Sequence, residues 1–275
     1  MSKLDPSSYP LKPVGCTRIV FLGDVVGRPG RNALKQDLRP FREAIQADLV
    51  IVNGENAAGG AGIDASTGQE IRSAGADIVT LGDHSFQRKG AADFLNASKA
   101  WCIRPSNLPG DVTPGVGMCR TTLANGVSVA VINLLGRVFL SGTMECPFRA
   151  ISRWIDHEKS QGTTITVCDM HAEATSEKWA MARHVDGKIS LLVGTHTHVQ
   201  TSDAQILPGG TAYITDLGMT GSPDGVIGMK SSVALERFLA PLPAPYEVAE
   251  GVGVLHGVVA DIDSKTGRGV AIYKV

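Results

Sequence analysis

Side chains able to bind a cation recur in this sequence directly after short apolar runs. Asp24 follows the run at 19–22 through Gly23, and Asn53-Gly54-Glu55-Asn56 follows 49–52. Gly82-Asp83-His84 follows 78–81, Asp169-Met170-His171 follows 165–168, and Gly194-Thr195-His196-Thr197-His198 follows 189–193. Imidazole together with carboxylate suits iron, manganese, zinc or cobalt better than calcium. Gathering the carboxylates of Asp24, Glu55 and Asp83 in one place would be costly through mutual repulsion. A pair of divalent cations removes that cost. If the apolar runs are neighbouring parallel strands, their ends converge where open α/β sheets bind ligands. The glycines at these tips are expected to let the backbone turn sharply.

Each residue alone has a blander reading. An Asp or His at a strand end more often caps a helix or satisfies a loop amide. The five-fold recurrence, rather than any one position, points to a site. His157, His184 and His256 lack such a setting and read as surface or core histidines. Cys168 and Met170 flank His171 and read as packing. Thr195 and Thr197 shape the His-x-His turn; Asp169 and Asp216 read as structural, with a role as partners of imidazoles as the alternative. The stretch 23–30 is glycine-rich but lacks G-x-G-x-x-G spacing and the Lys-Ser/Thr ending of a P-loop. No G-x-S-x-G of a serine hydrolase occurs.

The elements that must position these groups alternate. Apolar runs at 19–22, 49–52, 78–81, 127–132, 165–168, 189–193 and 212–214 read as strands. Several are continuous rather than alternating, which predicts cover on both faces. Residues 31–46, 67–74, 149–160 and 176–184 read as helices between them. This order argues for an α/β layered fold. Residues 253–273 read as two strands around a turn at Asp263-Ser264-Lys265-Thr266-Gly267, and 137–143 as a loop near the pocket. The stretch 240–246, with three prolines, reads as a surface connection.

The chain has 275 residues, a formal net charge of -1, 43% hydrophobic and 19% charged residues. That is ample for a core, in one large domain or two small ones. Residues 1–17, with Pro6, Pro10 and Pro13, read as a flexible extension, and 18–275 as a single domain. Near-neutral charge argues against a stable nucleic-acid complex or a membrane partner. No apolar run is long enough to span a bilayer. Five scattered cysteines, none in a C-x-x-C pair, fit a reducing cytoplasm. A homo-oligomer is compatible with all of this.

Taken in order, Asp24, Asn53-Gly54-Glu55-Asn56, Gly82-Asp83-His84, His171 and 194–198 resemble the motifs of calcineurin-like metallophosphoesterases. The likeness is closer to the YmdB-like bacterial phosphodiesterases. It is carried by the segments 21–27, 52–58, 171–178 and 193–201, with 216–221 also similar, and runs from about Arg18 to the end. The resemblance implies a four-layer α/β sandwich with two central mixed sheets flanked by helices. It implies two divalent metal ions, iron or manganese, with zinc or cobalt as alternatives. One ion would be held by Asp24, Glu55, Asn56 and His198. The other would be held by Glu55, Asp83, His171 and His196, with Glu55 bridging. His84 would act as general acid on a small phosphodiester such as a 2′,3′-cyclic nucleotide. One residue departs from the pattern: the family has Gly-Asn-His where this chain has Gly82-Asp83-His84. Asp can still bind metal, but it adds a negative charge and loses an amide donor. Two other readings stay open. One is a phosphomonoesterase or protein phosphatase. The other is a weakly active regulatory or RNA-binding protein with a modified site, which the charge and the lack of an RNA-binding motif oppose.

Overall fold

A computed structural model describes residues 4–110, 112–240 and 246–275. Along the chain run β1 (Cys16–Leu22), β2 (Asp24–Val25), α1 (Gly27–Ala44), β3 (Leu49–Asn53), α2 (Ala65–Ala74), β4 (Ile78–Thr80) and α3 (Ala91–Ala97). Next come β5 (Cys102–Ile103), β6 (Met118–Thr122), β7 (Ser128–Leu135), α4 (Pro147–Ser160), β8 (Ile165–His171) and α5 (Thr175–Val185). The chain continues through β9 (Leu191–Thr195), β10 (Gln205–Ile206), β11 (Ala212–Ile214), β12 (Met219–Thr220), α6 (Ser231–Leu239), β13 (Gly257–Asp263) and β14 (Gly269–Lys274).

Two six-stranded sheets form, in the orders β14-β13-β1-β3-β4-β5 and β10-β11-β9-β8-β7-β6. In the first, β1, β3, β4 and β5 are parallel; in the second, β7, β8, β9 and β11 are. Their outer strands are antiparallel, so both sheets are mixed.

Strand alternation builds the layers. Ile19 and Phe21 of β1 face the second sheet and meet Val129, Val131, Val167, Leu191 and Val193. Val20 and Leu22, one residue out of phase, face Leu34, Leu38 and Phe41 of α1 and Ile71 of α2. On the far side, Ile132, Cys168, Met170 and Leu192 pack on Ile151 of α4 and on Met181 and Val185 of α5. The result is helix, sheet, sheet, helix. The continuous apolar runs are needed because every central strand is covered on both faces.

The expected strands and helices are all present, with shifted ends. Helix α1 begins at Gly27, four residues before the expected start. Pro29 falls in the first turn, where a helix needs no N–H from it. Short α3 and α6 and the two-residue strands had no periodic signal of their own. The turn at 263–267 joins antiparallel β13 and β14. The proline-rich connection at 240–246 lies largely outside the described residues.

The expected flexible extension contacts the rest of the chain where it is described. Cys16 and Thr17 already belong to β1. The Tyr9 ring packs edge-on against Phe41 and Tyr273, and Lys12 pairs with Asp48 at 2.8 Å. Among the described residues no helix is long and apolar enough to cross a membrane.

Candidate metal centre

The strand tips converge, though from two sheets rather than one run of parallel neighbours. β1, β3 and β4 deliver their ends from the first sheet, and β8 and β9 from the second. Buried polar groups stitch the two rims. Asn53 Nδ2 donates to Asp169 Oδ2 at 3.0 Å, and the Leu81 N–H donates to Asn133 Oδ1 at 3.2 Å. The short β2–β12 pair brings Asp24 beside Met219.

The tip glycines Gly23, Gly54, Gly82 and Gly194 all have negative φ, so none of them sits in the left-handed region. They are small because neighbours come close: a Cβ on Gly82 would lie 2.3 Å from the His171 ring.

One group of candidate ligand atoms gathers around Asp24. His198 Nδ1 lies 2.8 Å from the carbonyl oxygen of Ile227 and donates to it, which leaves Nε2 as the nitrogen facing the centre. That Nε2 is 3.2 Å from Asn56 Oδ1 and 3.9 Å from Asp24 Oδ1. Asn56 Nδ2 donates to the Gly60 carbonyl at 3.0 Å, which fixes Oδ1 as the atom facing His198. Asp24 Oδ2 accepts the His196 backbone N–H at 3.2 Å, whereas its Oδ1 is buried without a hydrogen-bond partner. Asp24 Oδ1, Asn56 Oδ1 and His198 Nε2 thus face one another, and the buried, unpartnered Asp24 oxygen is a group that a cation would satisfy.

A second group lies alongside. His171 Nε2 is 3.1 Å from both Asp83 Oδ1 and His196 Nδ1, and His196 Nδ1 is 3.5 Å from Asp83. The remote nitrogens are held from outside. His171 Nδ1 lies 2.9 Å from Thr195 Oγ1, which donates to Asp169 Oδ1 at 2.7 Å, and His196 Nε2 lies 3.2 Å from Glu173 Oε2. Such partners fix the orientation of each ring, with the other nitrogen facing the centre. Glu55 Oε1 is 3.8 Å from His171 Nε2, and Glu55 Oε2 is a further buried atom without a partner. The donor set therefore fits metal ions: Asp24 and Glu55 are at most 1% exposed, with lone pairs unsatisfied by protein.

His84 stands at the mouth with its side chain 29% exposed. Its Nδ1 is 3.1 Å from Glu55 Oε1, which also accepts its backbone N–H. Its Nε2 is 3.6 Å from Asp83 Oδ2. By distance alone Glu55, Asp83 and His84 form another triad able to hold an ion. Since Glu55 Oε1 already accepts from His84, Oε2 is the atom left for a cation. The hydrogen bond to Glu55 raises the His84 pKa against the opposing effect of burial.

The electrostatics show how negative the centre is. Burial opposes charge on His171, yet Glu55, Asp83 and Asp24 outweigh it and lift its pKa to about 10. Burial works against the Asp83 carboxylate too, but hydrogen bonds from His171 and His196 hold it well below the usual range. Asp169, fully buried, is pushed up to about 6 despite its bonds to Thr80, Thr195 and Asn53.

The backbone is strained where the imidazoles turn in. His196, His198 and Ile227 have φ of 100°, 64° and 46°. A β-branched residue in that region is an outlier, and such strain clusters at functional sites. The His-x-His turn is pinned by a buried ion pair. Lys178 Nζ donates to the Thr195 carbonyl at 2.8 Å and to Asp216 Oδ2 at 2.7 Å, and Asp216 Oδ2 also accepts the Thr197 N–H at 3.1 Å.

All seven expected ligands and His84 are therefore brought to one place. Asp169 acts on an imidazole through Thr195; Asp216 instead holds the turn backbone. His184 bonds Ser152, His157 packs on Trp154, and His256 is half-buried, all apart from the cluster. Cys168 and Met170 are core residues. Sequence reasoning missed Glu173, Lys178 and Ile227. Glu173 offered a signal, an acid two residues past His171; Ile227 acts through its carbonyl and offered none. A pocket of 460 Å³ opens onto the cluster, lined also by Gln87, Ile227, Met229 and Tyr246. The loop at 137–143 contributes nothing to its lining.

The sequence profile of YmdB-like proteins matches residues 20–275. This chain belongs to the YmdB-like family. It is 44% identical over 258 residues to a 2′,3′-cyclic-nucleotide 2′-phosphodiesterase of Bacillus subtilis, covering 94% of this chain and 96% of that one. It is 35% identical to a putative phosphatase/phosphodiesterase of Mycoplasma pneumoniae, covering 90% and 89%. A crystal structure of a hypothetical protein from Thermus thermophilus superposes with a TM-score of 0.87 at 40% identity, covering 94% and 98%. A 5′-nucleotidase precursor from the same organism shares the fold alone, at a TM-score of 0.59 and 13% identity.

Proposed function

We propose that this chain is a dinuclear metal-dependent phosphodiesterase that opens 2′,3′-cyclic nucleotides. The observation that carries the metal reading is the convergence of Asp24 Oδ1, Asn56 Oδ1 and His198 Nε2, with Asp24 Oδ1 and Glu55 Oε2 buried and without a hydrogen-bond partner. The likeness to the Bacillus subtilis enzyme carries the substrate class. Asp24, Glu55, Asn56 and His198 hold one ion; Glu55, Asp83, His171 and His196 hold the other. Iron or manganese suits this set of imidazoles and carboxylates. Ions held there would supply Lewis acidity for a water nucleophile and positive charge against the phosphate.

The chain's own groups do the rest. Glu173, the Thr195–Asp169 pair and the Ile227 carbonyl keep three imidazoles aimed at the centre. Glu55 holds His84 Nδ1, so Nε2 is left to give a proton to the departing ribose oxygen. The raised pKa of His84 keeps that proton in place. Asp83 Oδ2, 3.6 Å from the same Nε2, adds attraction for the proton that an Asn would lack. Residues 18–275 act as one domain, in a reducing cytoplasm that matches five unpaired cysteines. The test is turnover of 2′,3′-cyclic AMP beside p-nitrophenyl phosphate. Preference for the diester is expected; a clear preference for the monoester makes the protein a phosphomonoesterase instead.

A further inference from the structure

The 460 Å³ pocket combines two kinds of lining. Glu55, Asn56, His84, His196 and His198 supply polar groups. Tyr246, Ile227 and Met229 supply apolar ones, and Gly60 and Gln87 line it too. We propose that Tyr246 is the platform on which the substrate's nucleobase stacks, a specificity determinant that rests on the phosphodiesterase reading above.

The ring is tied closely to the metal centre. Asn56 Nδ2 donates to the carbonyl of Gly60. Gly60 has a φ of 91°, and a Cβ there would fall 2.1 Å from Tyr246 Cε1 and 2.8 Å from Cδ1. Only glycine lets the ring rest on the segment that carries Asn56. Val248 Cγ2 lies 3.0 Å from the same point and supports that side. Tyr246 remains 36% exposed, and no ring among the described residues pairs with it. A held aromatic ring, open toward the pocket and adjacent to an anion-binding centre, fits a molecule with one anionic group and one flat π-face separated by a short spacer. A nucleoside cyclic phosphate is such a molecule, with the sugar as the spacer. Stacking on an aromatic ring accepts any base. The Gln87 side-chain amide donates no hydrogen bond among the described residues and lines the same pocket. Glutamine reads the N6/N7 edge of adenine, so adenine is the favoured base.

The test compares 2′,3′-cyclic AMP with methyl riboside 2′,3′-cyclic phosphate, which lacks a base. Wild type is expected to show the lower KM for the adenine substrate. Tyr246→Ala raises that KM roughly five- to 150-fold, the worth of one base–aromatic stack, so the KM ratio between the two substrates collapses toward one. Tyr246→Phe keeps the ring and the ratio. Metal content equal to wild type shows that the Ala variant is intact. Loss of both substrates' KM to the same degree, or an unchanged ratio, overturns the platform. Failure of wild type to cleave either substrate sinks the phosphodiesterase reading itself, which is a different result.

Discussion

Lys178→Met is expected to weaken both the fold and the metal centre. Lys178 is fully buried, and its ammonium contacts only the Thr195 carbonyl and Asp216 among the described residues. Asp216 is 1% exposed. Removing the lysine leaves a buried carboxylate with the N–H groups of Thr197 and Gly218 as its remaining donors. Breaking a buried pair from one side costs about 3–5 kcal/mol. Unfolding entropy near 2.1 cal/mol/K per residue gives about 0.6 kcal/mol/K for 275 residues. The expected fall in Tm is therefore roughly 5–9 °C. Adding Asp216→Asn neutralises the stranded charge and should restore at least half of that fall. Because Lys178 and Asp216 flank His196, the single variant should also bind less metal at the second position. Thermal unfolding by circular dichroism and metal analysis read both effects. A fall under about 2 °C, with full metal content, would refute the claim that this pair pins the His-x-His turn.

Other consequences follow from the same geometry. His84→Ala should lower kcat on 2′,3′-cyclic AMP by about 10²- to 10⁴-fold with metal content intact; loss of both ions would contradict its role as acid. Asp83→Asn removes one of three carboxylates facing the ions and should raise kcat/KM on anionic diesters several-fold, a gain of order 1 kcal/mol. Steady-state kinetics at saturating metal check this, and unchanged or lower activity counts against it. Burial, with a contribution from Lys274, depresses the His256 pKa. The unfolded chain, near 6.5, therefore takes the proton first, and stability falls as pH drops through that value. Urea unfolding at pH 7.5 and 5 should show a smaller acid-side loss in His256→Leu than in wild type.

The donors of the centre were legible because each follows an apolar run, and strand ends are where layered α/β folds gather polar groups. Chain order alone could not show that β1, β3 and β4 belong to one sheet and β8 and β9 to another, since that depends on long-range pairing. The tip glycines were legible as glycines, but the close neighbours that also require them were not. Gly82 answers to the His171 ring, 89 residues away in sequence. Asp216 read as structural, but what it holds was not legible, because its partner, Lys178, looks like an ordinary helical surface charge. Ile227 carries its role in a carbonyl and a strained backbone, which no side-chain pattern reveals. Glycine at 60 gained meaning only once Tyr246 was seen to lie across it.

The measurement that bears most directly on the central claim is metal content per chain in freshly purified protein, read beside hydrolysis of 2′,3′-cyclic AMP before and after chelation. The account predicts about two transition-metal ions per chain, with activity lost on chelation and regained with iron or manganese. Protein that holds no metal, takes none up on reconstitution and hydrolyses the substrate regardless would contradict it.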